Sequence, residues 1–167
     1  YFETRNIPQN AWVGVTVECK QTKARIDCIR NLNASVKFLS CEPLLEDLGD
    51  LCLQGINWII VGGESGSQAR PMKEEWVLNI KRQADANNIP FFFKQWGTWS
   101  KDGVKGNKKI NGKVLQGSIV QNMPNFKKFV DENPEIMAQF TDEKGRICFA
   151  PCIRADDELR VFVGPII

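Results

Sequence analysis

Three carboxylates and one amine occupy comparable places along this chain: Glu18, Glu42, Glu64 and Lys94 each stand at or near the end of an apolar run of strand length. The runs are Trp12–Glu18 (WVGVTVE), Val36–Glu42 (VKFLSCE), Trp58–Glu64 (WIIVGGE) and Phe91–Gln95 (FFFKQ). Carboxylates are hard oxygen ligands, so three at neighbouring strand ends suit a cationic substrate, a divalent metal, or the hydroxyl and amino groups of a cofactor. One of them becomes a general base if burial or a neighbouring carboxylate raises its pKa. The plainer alternative is that the strands simply finish at solvent, where glutamate is common. Lys94 follows three phenylalanines; partly desolvated there, it would act as acid, base or anion contact, or else pair with one of the glutamates. Glu42 and Lys94 are the candidate catalytic residues.

Other chemistries are poorly served. The chain has no histidine, so the usual base for a serine or cysteine nucleophile is missing. No G-x-S-x-G elbow occurs. Six cysteines, Cys19, Cys28, Cys41, Cys52, Cys148 and Cys152, include no C-x-x-C pair, which argues against a zinc site and for free thiols in a reducing cytoplasm. Cys41 precedes Glu42 and faces the opposite side of its strand, as a core thiol would. The corner Gly62-Gly63-Glu64-Ser65-Gly66 fits neither nucleotide fingerprint. It permits close backbone approach, either as an anion nest assisted by Arg70 or as a tight strand-to-helix turn without a ligand.

These residues need elements to position them. Ile26, Ile29 and Leu32 give one apolar stripe over about 22–32, and Trp76, Val77, Ile80 and Ala84 give another over about 73–87. Pro71 and the acidic pair Glu74–Glu75 mark the start of the second helix. The leucine-rich stretch 43–55 reads as a short helix or turn pair. Strands alternating with helices predict an α/β fold: a partial (β/α) barrel or open parallel sheet of about four parallel strands, plus a small C-terminal hairpin. In such folds the carboxyl ends of the strands form the working rim. Trp12, Gly14, Thr16 and Glu18 share one side of their strand, and Phe38, Ser40 and Glu42 share one side of theirs, as a cavity face requires.

After Trp96 the composition changes. Seven lysines stand against one aspartate between Gly97 and Lys128, in a sequence whose net charge is only +2. This stretch reads as a long mobile or hairpin-like loop, able to grip phosphates of nucleic acid or of a cofactor, or merely to stay soluble. Beyond it, a helix is expected around Pro134–Phe140 and strands at Arg146–Ala150 and Leu159–Val163. No run reaches membrane-spanning length, so no membrane partner is expected. The absence of an initiator Met and the ending GPII suggest a piece of a longer protein. Dimerisation through an exposed edge of the sheet is also expected.

The blocks WVGVTVE (Trp12–Glu18), VKFLSCEPLL (Val36–Leu45), NWIIVGGESGSQARPM (Asn57–Met72) and PFFFKQWGTW (Pro90–Trp99) resemble a phage and prophage protein family of unknown function that is radical-SAM-like. The resemblance implies that residues 1–125 are the C-terminal portion of a partial (β/α) barrel; it does not extend to 126–167, which their own pattern makes a helix and β-hairpin extension of the same domain. It also implies an N-terminal part that carries an iron–sulfur cluster beside S-adenosylmethionine, with neither bound by this piece alone. On that basis Glu18 would contact the cofactor ribose, and the corners Ser40–Glu42 and Gly62, Gly63 and Glu64 would line the cofactor and substrate cavity; Arg70 is a cofactor-binding candidate from the anion-nest reading of its corner. The alternative function is a non-enzymatic phage or nucleic-acid-interaction module working through the lysine-rich loop 97–128.

Overall fold

A computed structural model of the 167-residue chain describes residues 7–8 and 11–124 fully, and the backbone of the strands at 137–141, 147–155 and 158–161. Backbone contacts divide the chain into two compact units, Tyr1–Ile7 with Ala11–Pro124 and Pro8–Asn10 with Asn125–Ile167.

The first unit is built on four strands, β1 (Trp12–Thr16), β2 (Val36–Cys41), β3 (Trp58–Gly62) and β4 (Phe91–Gln95), all parallel and in the order β1-β2-β3-β4. This is the expected α/β architecture: an open parallel sheet with half the strands of a closed eight-stranded barrel. Helices α1 (Arg25–Arg30) and α2 (Glu74–Ala86) contribute Ile26 and Ile29, and Val77, Ile80 and Ala84, to the main core. The α2 helix begins at an extended Lys73, carries Glu74 and Glu75 in its first turn, and ends before Asn88, which adopts a positive φ of 55°. The α1 helix is shorter than its stripe suggests, because a 3₁₀ turn at Lys20–Thr22 takes up the first residues.

Between β2 and β3 the chain forms no regular element. Its apolar residues are still buried: Leu44, Leu48, Leu53 and Ile56 enter the same core as the helices. The segment is fastened to α2, where Asn79 Nδ2 donates to Asp47 and Gln83 bridges the Leu51 amide and the Gly49 carbonyl. Hydrogen bonds from a helix can thus fix a covering loop whose glycines prevent it from being a helix itself.

Alternation along the strands sorts side chains onto two faces. Val13, Val15, Val17, Leu39, Cys41, Ile59, Val61, Phe91 and Phe93 face the helices. The other face begins, at the amino ends of the strands, with a separate apolar group of Trp12, Val36, Phe38, Trp58, Ile60 and Phe92. Trp58 is its centre, with the rings of Trp12, Phe38 and Phe92 each 5.8 Å from it, centroid to centroid. Gly14 belongs to this face because the Phe38 ring occupies the space that a Cβ there would fill.

Of the two readings of the lysine-rich stretch, mobile or hairpin-like, its described part, 97–124, takes the hairpin-like one. It turns through the single-turn helix α3 (Lys108–Asn111), forms the hairpin β5 (Val114–Leu115) and β6 (Ser118–Ile119), and returns along β4. Gln116 and Gly117, both at positive φ, make the two-residue turn. Phe93 N–H donates to Val120 O and Asn122 N–H to Phe91 O, so residues 120–122 cover the outer edge of β4. One apolar anchor explains this order: Leu115 is buried in the main core although lysines surround it in sequence.

The second unit is a three-stranded antiparallel sheet of β7 (Met137–Thr141), β8 (Ile147–Ala155) and β9 (Glu158–Val161), in that order. It contains the expected hairpin. Residues 137–141 pair with β8 as a strand, whereas the sequence pattern reads a helix around Pro134–Phe140. The segment is too short to carry a helical stripe, and backbone pairing with a neighbour decides its state. The remainder of that expected helix, and the side chains of Cys148 and Cys152, lie outside the described residues. Among the described residues no helix is long and apolar enough to cross a membrane.

Candidate functional site at the carboxyl rim of the sheet

The face of the sheet opposite the helices changes character along the strands. Above the apolar group around Trp58 stand Thr16, Ser40, Gly62 and then Glu42 and Lys94. Glu42 and Lys94 come from β2 and β4, which are not neighbours, yet Lys94 Nζ lies 3.0 Å from Glu42 Oε2. The intervening strand supplies Gly62, where a Cβ would stand 3.1 Å from the Glu42 carboxyl carbon. A side chain there would crowd the carboxylate, so this glycine is a seat for Glu42.

The strand end that carries Lys94 is irregular. Between Val61 and Gly62 the β3–β4 register shifts, so that Val61 faces Phe93 and Gly62 faces Gln95. In a regular strand Lys94 and Gln95 would point to opposite faces; the bulge lets both line one depression. Gln95 also donates to Ser65 Oγ at 3.3 Å.

Each rim glutamate has its own cation. Arg25 Nη1 lies 3.1 Å from Glu18 Oε2 and also donates to the Thr16 carbonyl. Arg70 binds Glu64 with Nε on Oε2 and Nη2 on Oε1, both at 2.9 Å, while its backbone N–H donates to Oε2 at 2.8 Å. These hydrogen bonds from Arg70 side chain and backbone hold the Glu64 carboxyl down at about 2, and Glu64 in turn raises Arg70. Glu64 is therefore an anion fully occupied in closing its own corner. Among the described residues no three acidic or thiol groups are arranged to share a metal ion.

The glycine-rich corner is explained by backbone packing. A Cβ on Gly63 would overlap the Trp96 carbonyl, and one on Gly97, at φ 83°, would overlap the Glu64 carbonyl. Gly63 N–H donates to Gln95 O, Thr98 N–H to Glu64 O, and Gly66 N–H to Thr98 Oγ1. Two loops are locked together here, and the turn reading of the motif accounts for its glycines.

Two shallow depressions mark the rim. One, of about 320 Å³, is lined by Glu42, Pro43, Gly63, Glu64, Ser65, Gln95 and Lys108. The other, of about 300 Å³, is lined by Lys94, Gln95, Lys108, Lys109, Gly112 and Lys113. Of the residues singled out from sequence, Glu42, Gly63, Glu64 and Lys94 meet at these depressions. Glu18, Ser40, Gly62 and Arg70 do not line them.

Lys108, Lys109 and Lys113 belong to the stretch expected to grip phosphates, but their place on the rim of the sheet was not expected from sequence. The signal was present in Trp96 and Leu115, two large apolar residues bracketing a polar stretch that they would have to fasten. Trp96 is buried, accepts nothing, and donates its indole N–H to Val114 O and its backbone N–H to Gly112 O.

No curated protein and no solved structure matches the chain. A protein-family model does match, over residues 1–124, which takes in the whole parallel sheet and both rim depressions. The chain belongs to the family described as "Protein of unknown function (DUF5131)".

Proposed function

We propose that this chain forms a ligand-holding wall of a radical-SAM-like, (β/α)-barrel enzyme of phage or prophage type, with the helix-free face of the sheet turned toward the reacting molecules. The observation that carries this reading is the Glu42–Lys94 pair, joined across an intervening strand on that face. Structural ion pairs are usually made between neighbours; one seated above a glycine at the carboxyl rim is placed where ligands of such folds bind.

The chain's own residues fit part of what the resemblance implies. Arg25 engages Glu18 through Oε2, leaving Oε1 to accept a hydroxyl such as that of a ribose. Lys94 likewise engages Glu42 through Oε2 alone. Glu64 does not fit, because Arg70 holds both its oxygens. The four described cysteines do not fit an iron–sulfur cluster: Cys41 is buried in the core, Cys19 is half-buried, Cys28 and Cys52 are exposed, and among the described residues no three cysteine or acidic groups gather. The proposed work of the rim residues is to bind and orient, with Glu42 and Lys94 holding a proton-bearing group of the ligand between a carboxylate and an ammonium.

The test is anaerobic production of the intact gene product, with measurement of iron content and of S-adenosylmethionine cleavage. Iron together with cleavage supports the assignment. An iron-free product that leaves S-adenosylmethionine intact overturns it.

A further inference from the structure

Lysine side chains normally spread over a protein surface, since like charges repel and each ammonium is well solvated. Here four of them, Lys94, Lys108, Lys109 and Lys113, line one depression of about 300 Å³. Glu42 pairs with Lys94. Among the described residues no carboxylate lies within ion-pairing distance of Lys108, Lys109 or Lys113. The hydrogen bond of Lys113 Nζ, 3.0 Å to Gln121 Oε1, orients its ammonium without neutralising it.

The cluster is also held in place. Asn107 caps the α3 turn by accepting from Lys109 N–H, and Asn111 Nδ2 donates to the carbonyls of Gly97 and Thr98. Trp96 fastens Gly112 and Val114, and buried Leu115 secures the chain just beyond. These ties hold the backbone that carries Lys108, Lys109 and Lys113 beside the depression, and among the described residues none of the three has a carboxylate partner. Repulsion among clustered cations is a cost in the free protein that a bound anion removes, and this is the logic of an anion site.

We infer that this depression binds the phosphate group of a compact small-molecule ligand. The inference rests on the reading of the rim as a ligand wall and adds the chemical class of the ligand. The space is at the small end for ligand sites and suits a phosphate or pyrophosphate group with a short extension toward Glu42, Ser65 and Gln95 in the adjoining depression. Single-stranded nucleic acid is less well served, because the nearby aromatics are occupied. Trp96 is buried, and Trp99 donates its indole N–H to Ala69 O while Lys105 lies over its ring. Neither offers a face for stacking a base.

Calorimetric titration of the 167-residue chain with pyrophosphate, inorganic phosphate and a short single-stranded RNA tests the inference. Pyrophosphate is expected to bind in moderate salt, and the Lys108→Gln/Lys109→Gln/Lys113→Gln variant to weaken it at least tenfold with an unchanged circular dichroism spectrum. The Lys101→Gln/Lys105→Gln variant, with both changes outside the depression, should retain the parent affinity. Undiminished pyrophosphate binding by the triple variant overturns the phosphate site while leaving the ligand-wall reading standing. RNA bound more tightly than pyrophosphate, and weakened equally by both sets of substitutions, overturns it in favour of a nucleic-acid surface. If pyrophosphate and phosphate both fail to bind, the phosphate assignment is wrong, and the iron and S-adenosylmethionine measurements then decide the ligand-wall reading separately.

Discussion

Lys94 reaches Glu42 over the top of Gly62, so that a residue with no side chain is the physical link between two strands that never touch. The 3.0 Å pair is partly exposed, with about two fifths of the Lys94 side chain and one fifth of Glu42 accessible. Its direct contribution to stability is accordingly small, under about 1 kcal/mol. Glu42→Gln should therefore leave the urea midpoint nearly unchanged. Gly62→Val should cost more, about 1–3 kcal/mol, by driving a branched side chain into the carboxylate. Equal losses for the two substitutions would show that Gly62 is not the seat described.

The Gly63–Gly97 contact should be the least tolerant place on the rim. Alanine at either position meets a backbone carbonyl, which cannot swing aside as a side chain tip can. We expect Gly63→Ala and Gly97→Ala each to destabilise by about 3 kcal/mol or more. Gly49→Ala is the control, at a similar φ of 63° but with open space around it. It should cost only about 1 kcal/mol. Denaturant unfolding of the three variants gives the comparison.

Acid should act through Glu64. Its carboxyl is held at about 2 in the folded chain against 4.5 ordinarily, so the unfolded state binds the proton more readily between those values. The stabilisation is fully present above about pH 4.5 and is lost as pH falls toward 2. Arg70→Gln should flatten this part of the profile, while the parent chain loses midpoint steadily across it. A variant that tracks the parent through the whole range would remove the Arg70–Glu64 clamp as the cause.

Thiol chemistry should separate the described cysteines. Burial pushes the Cys41 thiol up to about 12, with the Glu18 charge adding to the effect, whereas Cys28 and Cys52 are exposed. Under native conditions an alkylating reagent should modify Cys28 and Cys52 and spare Cys41 until the chain unfolds. Peptide mass spectrometry of the labelled protein would show the order.

The lysine segment should depend on its buried anchor. Leu115→Ala removes a fully buried side chain and should cost about 2–4 kcal/mol. It should also weaken pyrophosphate binding, although Leu115 faces the core and none of the four lysines is altered. Loss of stability with full retention of binding would mean that the lysines hold their places without it.

The strands and the faces of the sheet were legible because alternation in WVGVTVE and VKFLSCE has only one arrangement that buries the valines and leucines. The helix at 74–86 was legible for the same reason, with its stripe and its acidic first turn. Two features were not. The bulge at Lys94 is a matter of register between strands, and register is not written in one strand's own alternation. The fastening of 108–115 depends on single bonds from Trp96 and Asn111 to distant carbonyls, which composition conceals behind lysines and glycines. The three glutamates were legible at the strand ends and so was a Lys94 pairing with one of them, but spacing could not reveal that Arg25 and Arg70 take Glu18 and Glu64.

The return of residues 120–122 along β4 leaves the parallel sheet with one covered margin, while among the described residues β1 pairs with β2 alone. A strand added to this sheet would therefore have to stand beside β1, since the place beside β4 is taken by residues 120–122.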